Sequence, residues 1–358
     1  MIFSTTSAPV HARNLPFLSF RPDSTGAYYA FVLLFALIGL AAGCGGGSAP
    51  PPPPSFSVGK LYVTNSPSNG NDTLLRFNAG NSGDVAPELK FDTSLQPGTE
   101  YLSLDVPHDR LVGFSLFANN IMIVDNVSSG SCCAPPRFVS GAATGLNRAF
   151  QGVIDSNRDV IYALNTNSTI VVLGPASTIS GNVAPLRSLT TSATVSGIAL
   201  DSGNDRLFLS DSAGNAILIF DNASTLSGTL TPSRTISGAA TLLNSPGVLS
   251  LDNSGRLIVA STQNPAHIAV FANAATANGN IAPLTTSTLT NIAAQITVFS
   301  NGDLYTGDGT AIVAYANIAG ATGTLTPVRT ISGANTGLNP PFPSALSGVL
   351  GIAVDPTR

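Results

Sequence analysis

Charged side chains are scarce in this sequence. They make up only 9% of the 358 residues, the formal net charge at pH 7 is −4, and the 15 lysines and arginines form no basic block. Proteins that bind nucleic acids neutralise phosphates with a concentrated basic surface. The composition therefore argues against a nucleic-acid partner, while the 43% apolar content is sufficient for a large core.

Histidine is also scarce, and the positions of the three histidines argue against catalysis. His11 lies in the N-terminal leader, whereas His108 and His267 fall far apart in the chain. The repeat described below places these two on opposite blades and opposite faces. A histidine dyad and a two-histidine zinc site both need adjacent rings. We therefore predict no catalytic residue, no metal ligand and no cofactor.

Cysteine occurs three times, as Cys44 and as the adjacent pair Cys132 and Cys133. An adjacent pair lacks the spacing of a CxxC redox or metal site. In an exported protein a pair of thiols tends to be oxidised. A vicinal disulfide between Cys132 and Cys133 is therefore one prediction, and two incidental free thiols are the alternative.

The N-terminal region predicts export. Residues 1–43 contain an apolar run, residues 27–42, that is shorter than the ~20 residues of a membrane-spanning helix. Such a run is typical of the core of a signal peptide. Residues 44–57 are rich in glycine and proline and predict an extended tether. Residues 58–358 form the remaining domain.

The small residues 41–43 followed by Cys44 resemble the lipobox of bacterial lipoproteins. The resemblance implies cleavage before Cys44 and attachment of lipid to that cysteine, which would anchor the protein to a membrane. Leu40 departs from the family pattern because it stands four residues before the cysteine rather than three. Gly45 is not the Asp associated with retention in the inner membrane of enteric bacteria, so the resemblance points to the outer membrane. A soluble secreted product and an uncleaved anchor are the alternatives.

The rest of the chain repeats one unit, which is clearest in residues 197–246. Its β-prone runs are separated by turn-forming residues, and they are GIALD (197–201), RLFLSD (206–211), AILIFDN (216–222) and SRTIS (233–237). The third run is apolar from Ala216 to Phe220, as expected for a strand covered on both faces. A four-stranded sheet covered on both faces is a blade of a β-propeller.

Two sequence markers count six copies of the unit. One is the residue that ends the first run, at intervals of 46 to 55 residues: Asp105, Asp155, Asp201, Asp252, Ser300 and Asp355. The other is the proline ahead of the fourth run: Pro87, Pro136, Pro185, Pro232, Pro283 and Pro327. Four-stranded repeats of this length are typical of propellers. The sequence thus predicts an all-β fold, a six-bladed β-propeller with four strands per blade.

The two ends of the chain predict how the ring closes. The last copy contains only its first run, GIAVD (351–355). The first copy contains runs two to four, GKLYVTN (59–65), DTLLRFN (72–78) and PELKFD (87–92). We predict that the C-terminal run is the inner strand of the first blade and that the N-terminal runs complete that blade, which leaves no free central edge.

The repeat resembles NHL-repeat and YVTN-type bacterial propellers. The resemblance rests on LYVTN (61–65), GIALD (197–201), GIAVD (351–355) and the repeated RTISG (234–238 and 329–333). These motifs specify turns and packing rather than chemistry. The resemblance implies a scaffold or a binding module, because enzymes are a minority of the family.

Two polar positions recur in the repeat. The aspartates that end the first run either line the channel as a cation-binding ring or, as their place before a turn favours, bond to nearby backbone amides. Basic residues recur at the start of the fourth run, where they either grip an anionic partner or, as we favour, prevent exposed outer edges from pairing. These residues are Lys90, Arg137, Arg187, Arg234 and Arg329.

Departures from the repeat predict a binding surface. The insertions 66–72, 262–267 and 334–348 belong to the neighbouring blades one, five and six and lie on one face. Variation in repeat proteins concentrates on the binding face. We therefore predict an Asn-rich rim with Phe342 as its apolar anchor, and neutral drift is the alternative. The Asn-rich rim consists of Asn69, Asn71, Asp72, Asn264, His267, Asn339 and Phe342.

These features favour an exported, lipid-anchored propeller that acts as a binding or scaffold module at a bacterial cell envelope. The expected partners are the membrane, through lipid on Cys44, and an envelope protein, a glycan or a small molecule. One alternative is a propeller enzyme, a lyase or lactone hydrolase with a metal in the channel, although no Glu, Asn and Asp set for such a metal can be aligned. The other alternative is a structural surface protein.

Overall fold

The fold was analysed in a computed structural model, which describes residues 59–66, 72–95, 99–129, 135–261, 267–289, 297–300, 302–307, 311–338 and 348–358. The chain divides into two units, Met1–Pro53 and Pro54–Arg358, and every described residue belongs to the second. No helix among the described residues is long and apolar enough to cross a membrane. The predicted signal peptide, tether, Cys44, Cys132 and Cys133 lie outside the described residues, as do Asn69, Asn71, Asn264, Asn339 and Phe342.

The regular secondary structure of the described residues is nearly all β-strand. In chain order the first strands are β1 (Lys60–Ser66), β2 (Asp72–Asn78), β3 (Leu89–Leu95), β4 (Thr99–Asp105), β5 (Arg110–Ser115), β6 (Asn120–Asp125), β7 (Arg137–Ser140), β8 (Ala149–Asp155), β9 (Val160–Asn165), β10 (Ile170–Leu173), β11 (Arg187–Thr190), β12 (Val195–Asp201) and β13 (Arg206–Asp211). The others are β14 (Ala216–Asp221), β15 (Gly228–Thr229), β16 (Arg234–Ser237), β17 (Pro246–Leu251), β18 (Leu257–Ser261), β19 (His267–Phe271), β20 (Thr285–Leu289), β21 (Thr297–Ser300), β22 (Asp303–Gly307), β23 (Ile312–Tyr315), β24 (Gly323–Leu325), β25 (Arg329–Ile331) and β26 (Gly348–Asp355).

These strands form the six blades of a β-propeller, which confirms the predicted fold class. From the inner strand outward, blade one is β26-β1-β2-β3, blade two is β4-β5-β6-β7 and blade three is β8-β9-β10-β11. Blade four is β12-β13-β14-β16, blade five is β17-β18-β19-β20 and blade six is β21-β22-β23-β25. The predicted apolar third run is buried in β14 from Ala216 to Phe220, because both faces of the blade pack against neighbouring sheets.

Blade one closes the ring as predicted. The C-terminal strand β26 pairs antiparallel with β1, with Lys60 opposite Asp355 and Val63 opposite Ile352. β1 continues the sheet through β2 to β3. The sheet of blade one is therefore continuous, and the pairing of β26 with β1 joins the two ends of the chain.

A parallel backbone strap covers the outer strand of most blades. In five described cases, a glycine with positive φ in the segment between strands three and four pairs with the outer strand of the preceding blade, and these are Gly83, Gly181, Gly228, Gly279 and Gly323. In blades three and five the strap is regular enough to add a fifth strand, β15 or β24. The outer strands are therefore partly covered edges, which corrects the expectation of open edges.

A second period, two blades long, is superimposed on the single-blade repeat. The connections that leave blades two, four and six share the sequence SGAATGLN (140–147), SGAATLLN (237–244) or SGANTGLN (332–339). Each contains a short 3-10 helix, Ala142–Thr144, Ala239–Thr241 or Ala334–Thr336. A fourth 3-10 helix, Ala223–Thr225, lies in blade four. The ring therefore has approximate threefold symmetry, so each blade pair has two internal counterparts.

Candidate functional site

The two faces of the disc carry different structures. Turns between strands one and two, and the segments between strands three and four, begin on one face, which we call the turn face. Loops between strands two and three, and the connections between blades, lie on the other face, which we call the loop face. Of the residues predicted for the Asn-rich rim, the structure describes Asp72 and His267, and each begins a third strand at the loop face.

On the turn face, the inner-strand aspartates bond to backbone amides of the turns that follow them. The amide nitrogen of Asn204 donates to Asp201 Oδ1 at 3.0 Å, and those of Ser254 and Thr357 donate to their aspartates at 2.9 Å. Equivalent bonds reach Asp105 and Asp155. This arrangement confirms the turn-capping interpretation and explains why an acidic residue recurs there.

Ion pairs link neighbouring blades on the turn face from blade one to blade four. The accepting aspartate stands at the end of the turn between strands one and two. In blades five and six that place is taken by Gly255 and Gly302, so the same link does not form there. The arginines and aspartates that form the links have one another as partners, so their charges are largely internal to the disc. The linking pairs are Arg358 to Asp109 at 2.5 Å, Arg110 to Asp159 at 3.1 Å and Arg158 to Asp205 at 3.3 Å.

The arginines at the start of the outer strands also bond within the disc. Arg234 donates to Asp221 at 2.8 and 2.9 Å, and hydrogen bonds from Arg234 and Arg206 lower the pKa of the Asp221 carboxyl. Arg329 donates to Asp303 at 3.0 Å and to the Tyr305 hydroxyl at 2.9 Å. Arg187 bonds to three backbone carbonyls of the next blade, and Arg137 to two carbonyls and Asp125. These arginines join strands and blades, which corrects the expectation of free edge charges.

On the loop face, polar residues of the second-to-third-strand turns hold the connection to the next blade. Asn119 Oδ1 accepts from the Arg148 amide at 2.6 Å, and Asn215 Oδ1 accepts from the Ser245 amide at 2.7 Å. Asp72 has the same role, since its Oδ2 accepts from the Thr99 amide at 2.7 Å and its side chain is fully buried. Asp72 therefore does not contribute an exposed side chain to the Asn-rich rim, which corrects its placement there.

The mouth of the channel on the loop face is formed where the inner strands begin. The pairing of β4, β8 and β12 with their second strands shifts register at Glu100, Phe150 and Ser196, which is a β-bulge in each blade. Burial and, to a smaller extent, the charge of Asp72 raise the pKa of Glu100 to about 7, and Arg148 opposes the shift. Glu100 could not be predicted as a site residue, because a bulge leaves no mark in the strand pattern.

A second feature of the loop face is an open groove beside blade five. It has a volume of about 550 Å³ and is lined by residues 242–244, His267, residues 286–288 and Gly323. We call it the blade-five groove. The Nε2 atom of His267 lies 3.1 Å from the backbone oxygen of Leu242, and the Leu242 side chain is 56% exposed. Of the described residues predicted for the Asn-rich rim, His267 is thus at an accessible site.

The backbone of Leu242 is unusual for its residue type. Its φ of 56° lies in the left-handed region, which is unfavourable for a side chain with a Cβ atom. In the two other copies of the same connection, the residue at this place is glycine, Gly145 or Gly337, with φ of 69° or 70°. This departure is visible in the sequence, because one copy of the connection has leucine where the other two have glycine.

His267 is also particular to blade five. By strand register, Thr169 opposite Asn165 and Thr73 opposite Asn65 occupy its place in blades three and one, as His267 lies opposite Ser261 in blade five. The combination of an exposed Leu242 and His267 therefore occurs at one of three symmetry-related places. The described residues contain no group of three or more His, Cys, Asp or Glu side chains that could hold a metal ion.

Comparisons with known proteins support the fold. No protein-family model matches the chain, and no curated protein matches it. The chain is similar to a crystal structure of a candidate 6-phosphogluconolactonase from Bacteroides uniformis, with 12% identity over 83% of this chain and 99% of that chain and a TM-score of 0.52. It is also similar to a chain of a nidogen/laminin complex, with 14% identity, 83% and 98% coverage and a TM-score of 0.50. At these identities the likeness shows a β-propeller fold alone.

Proposed function

We propose that this protein is an exported, lipid-anchored propeller, of the NHL and YVTN type, that acts as a binding or scaffold module at a bacterial cell envelope. The signal-like residues 1–43, Cys44 and the tether 45–57 support export and anchoring. A disc held by the glycine- and proline-rich tether that the sequence predicts would present its binding face to the envelope. Recognition on the loop face then determines what the protein holds at the envelope.

One observation supports a binding role for the loop face: the recurring charged groups of the turn face bond within the disc, whereas the loop face departs from the repeat at one place. On the turn face, the recurring aspartates and arginines bond to one another and to the backbone. On the loop face, Leu242, whose side chain is 56% exposed, and His267 break the threefold pattern, and the side chain of Phe117 is 48% exposed. The other exposed apolar side chains, Leu186, Leu284 and Val328, recur directly before outer strands and so belong to the repeat. Recognition in a repeat protein concentrates where residues depart from the repeat, which favours the loop face as the binding face.

Chemical crosslinking of the tagged protein in its host envelope tests this function. We expect one partner to be enriched stoichiometrically with the native protein. The variant Phe117→Ser/Leu242→Gly should lose that partner, whereas Leu186→Ser, which removes an equally exposed leucine from a turn-face strand end, should retain it. A partner that persists in the first variant, or no enriched partner at all, would contradict recognition by the loop face.

A second candidate function is a propeller enzyme, a lyase or lactone hydrolase. One observation favours it: Glu100 lies at a β-bulge where an inner strand begins on the loop face, and its raised pKa of about 7 suits proton transfer at neutral pH. Lactone hydrolysis by the native protein, lost in Glu100→Gln, would establish this function. Equal rates for the two proteins would exclude Glu100 as the proton-transfer group. A structural surface protein, the third reading, would show neither a partner nor hydrolysis.

A further inference from the structure

We propose that the blade-five groove binds an uncharged, hydroxyl-rich ligand, specifically a neutral carbohydrate chain. This inference rests on the proposed binding function and names a ligand class for one site on the loop face. It depends on three properties of the groove: the absence of charge in its lining, the hydrogen-bonding groups it presents, and the exposed aliphatic surface of Leu242.

The described lining of the groove contains no Asp, Glu, Lys or Arg. A charged ligand would therefore lose hydration without gaining an ion pair in return. A neutral ligand pays only the smaller cost of desolvating hydroxyl groups, which hydrogen bonds from the protein compensate. The groove is also open rather than enclosed, so it can admit part of a longer chain that continues into solvent.

The polar groups of the groove match hydroxyl partners. The carbonyl oxygen of Leu242 can only accept, so the 3.1 Å contact places the His267 proton on Nε2. A neutral His267 ring then offers Nδ1 as an acceptor for a ligand hydroxyl. The Thr288 hydroxyl donates to Thr324 Oγ1 at 3.0 Å and retains acceptor capacity, while Thr286 Oγ1 has no hydrogen-bond partner among the described residues.

Leu242 provides the apolar part of the site. A sugar ring has one face made largely of C–H groups, and that face packs on exposed aliphatic surface to remove both from water. The left-handed backbone at Leu242 places its carbonyl at His267 and leaves its side chain exposed. Non-glycine residues with a strained backbone cluster at ligand sites, and both internal counterparts of Leu242 are glycine.

The internal symmetry of the propeller supplies a conservative test. The double variant Leu242→Gly/His267→Thr gives blade five the residue pair that blades three and one already have, Gly145 with Thr169 and Gly337 with Thr73. It should fold, which circular dichroism and thermal melting verify. Leu186→Thr is the matched control because its side chain is 57% exposed at a place remote from the groove.

Binding is measured by titration calorimetry with maltohexaose, cellohexaose and chitohexaose, and on an array of neutral glycans. We expect at least one of these to bind the native protein and the Leu186→Thr control equally. The double variant should bind it at least about tenfold more weakly. No binding by the native protein, or equal binding by the double variant, overturns the carbohydrate assignment.

The envelope crosslinking experiment separates this proposal from the function it rests on. If a protein partner is captured through the loop face and oligosaccharides added before crosslinking do not reduce its capture, the binding function holds and the carbohydrate assignment is wrong. If an oligosaccharide added before crosslinking prevents capture by the native protein, both hold. If the loop-face variant retains its partner, the proposed function fails irrespective of the titrations.

Discussion

His267 and Leu242 are joined by a hydrogen bond from Nε2 of the ring to the backbone oxygen, 3.1 Å long. The bond links a side chain at the start of a blade-five strand to the connection that enters the same blade. It also links the two departures from threefold symmetry on the loop face. The strained backbone at Leu242 and the imidazole therefore form one local structure, and a change in either should affect the other.

Leu242→Gly should stabilise the protein by about 0.5 to 1 kcal/mol. Glycine adopts a φ of 56° without the clash that a Cβ atom causes, although it gains more freedom in the unfolded chain. Denaturant unfolding measures the change. Leu242→Ala is the control, since it removes most of the side chain but keeps the Cβ atom, and it should give no increase. Equal stabilisation by both variants would show that exposed apolar surface, rather than backbone strain, is the cause.

Glu100 should make stability depend on pH. Burial raises its pKa from the ordinary value of 4.5 to about 7 in the folded protein, so between these values the folded state retains a proton that the unfolded chain releases. Stability is therefore highest below pH 4.5 with respect to this group and falls as the pH rises towards 7. Glu100→Gln should remove this dependence and be about 1 to 2 kcal/mol more stable than the native protein at pH 8, after allowing for partial exposure. Parallel stability curves for the two proteins between pH 5 and 8 would contradict the assignment.

Gly197→Ala should destabilise the ring by about 3 kcal/mol. A Cβ atom at Gly197 would lie 2.0 Å from the backbone oxygen of Gly247 in the next blade, and neither inner strand can move without disturbing its own sheet. Gly203→Ala in the adjacent turn, where the nearest atom is 3.7 Å away, is the matched control and should change stability little. Thermal melts compare the two, and similar melting temperatures would show that the blades separate more easily than this contact implies.

Deletion of residues 348–358 should lower the melting temperature by at least about 10 °C. It removes β26, which pairs with β1 and closes blade one. Deletion of Thr357 and Arg358 alone keeps that strand and removes the ion pair between Arg358 and Asp109, so its effect should be much smaller. An unchanged melt after the longer deletion would mean that the closing strand contributes little to the stability of the ring.

The blade architecture could be predicted because local signals agree with the fold. RLFLSD (206–211) coincides with β13, and DTLLRFN (72–78) coincides with β2. The pairing of β26 with β1 followed from counting runs at the two ends of the chain. Turn signals and apolar runs are properties of neighbouring residues, so a single sequence is sufficient to recognise them.

Features that depend on contacts between blades were missed. The straps pair with the outer strands through Gly181 and its equivalents. They were not predicted, because a glycine in a polar segment indicates only a turn. Asp72 follows an insertion rich in asparagine, and that context predicted an exposed rim, whereas its partner Thr99 belongs to the next blade. Leu242 could have been noticed by aligning connections two blades apart, but a single-blade repeat compares it with unrelated segments.

The most direct test of recognition by the loop face is site-specific photocrosslinking in the host envelope. A photoreactive phenylalanine analogue would replace Phe117 or Leu242 on the loop face, and Arg158 or His108 on the turn face. We predict that adducts form from positions 117 and 242 and are absent from positions 108 and 158. Adducts confined to the turn-face positions, or formed equally from both faces, would contradict the account.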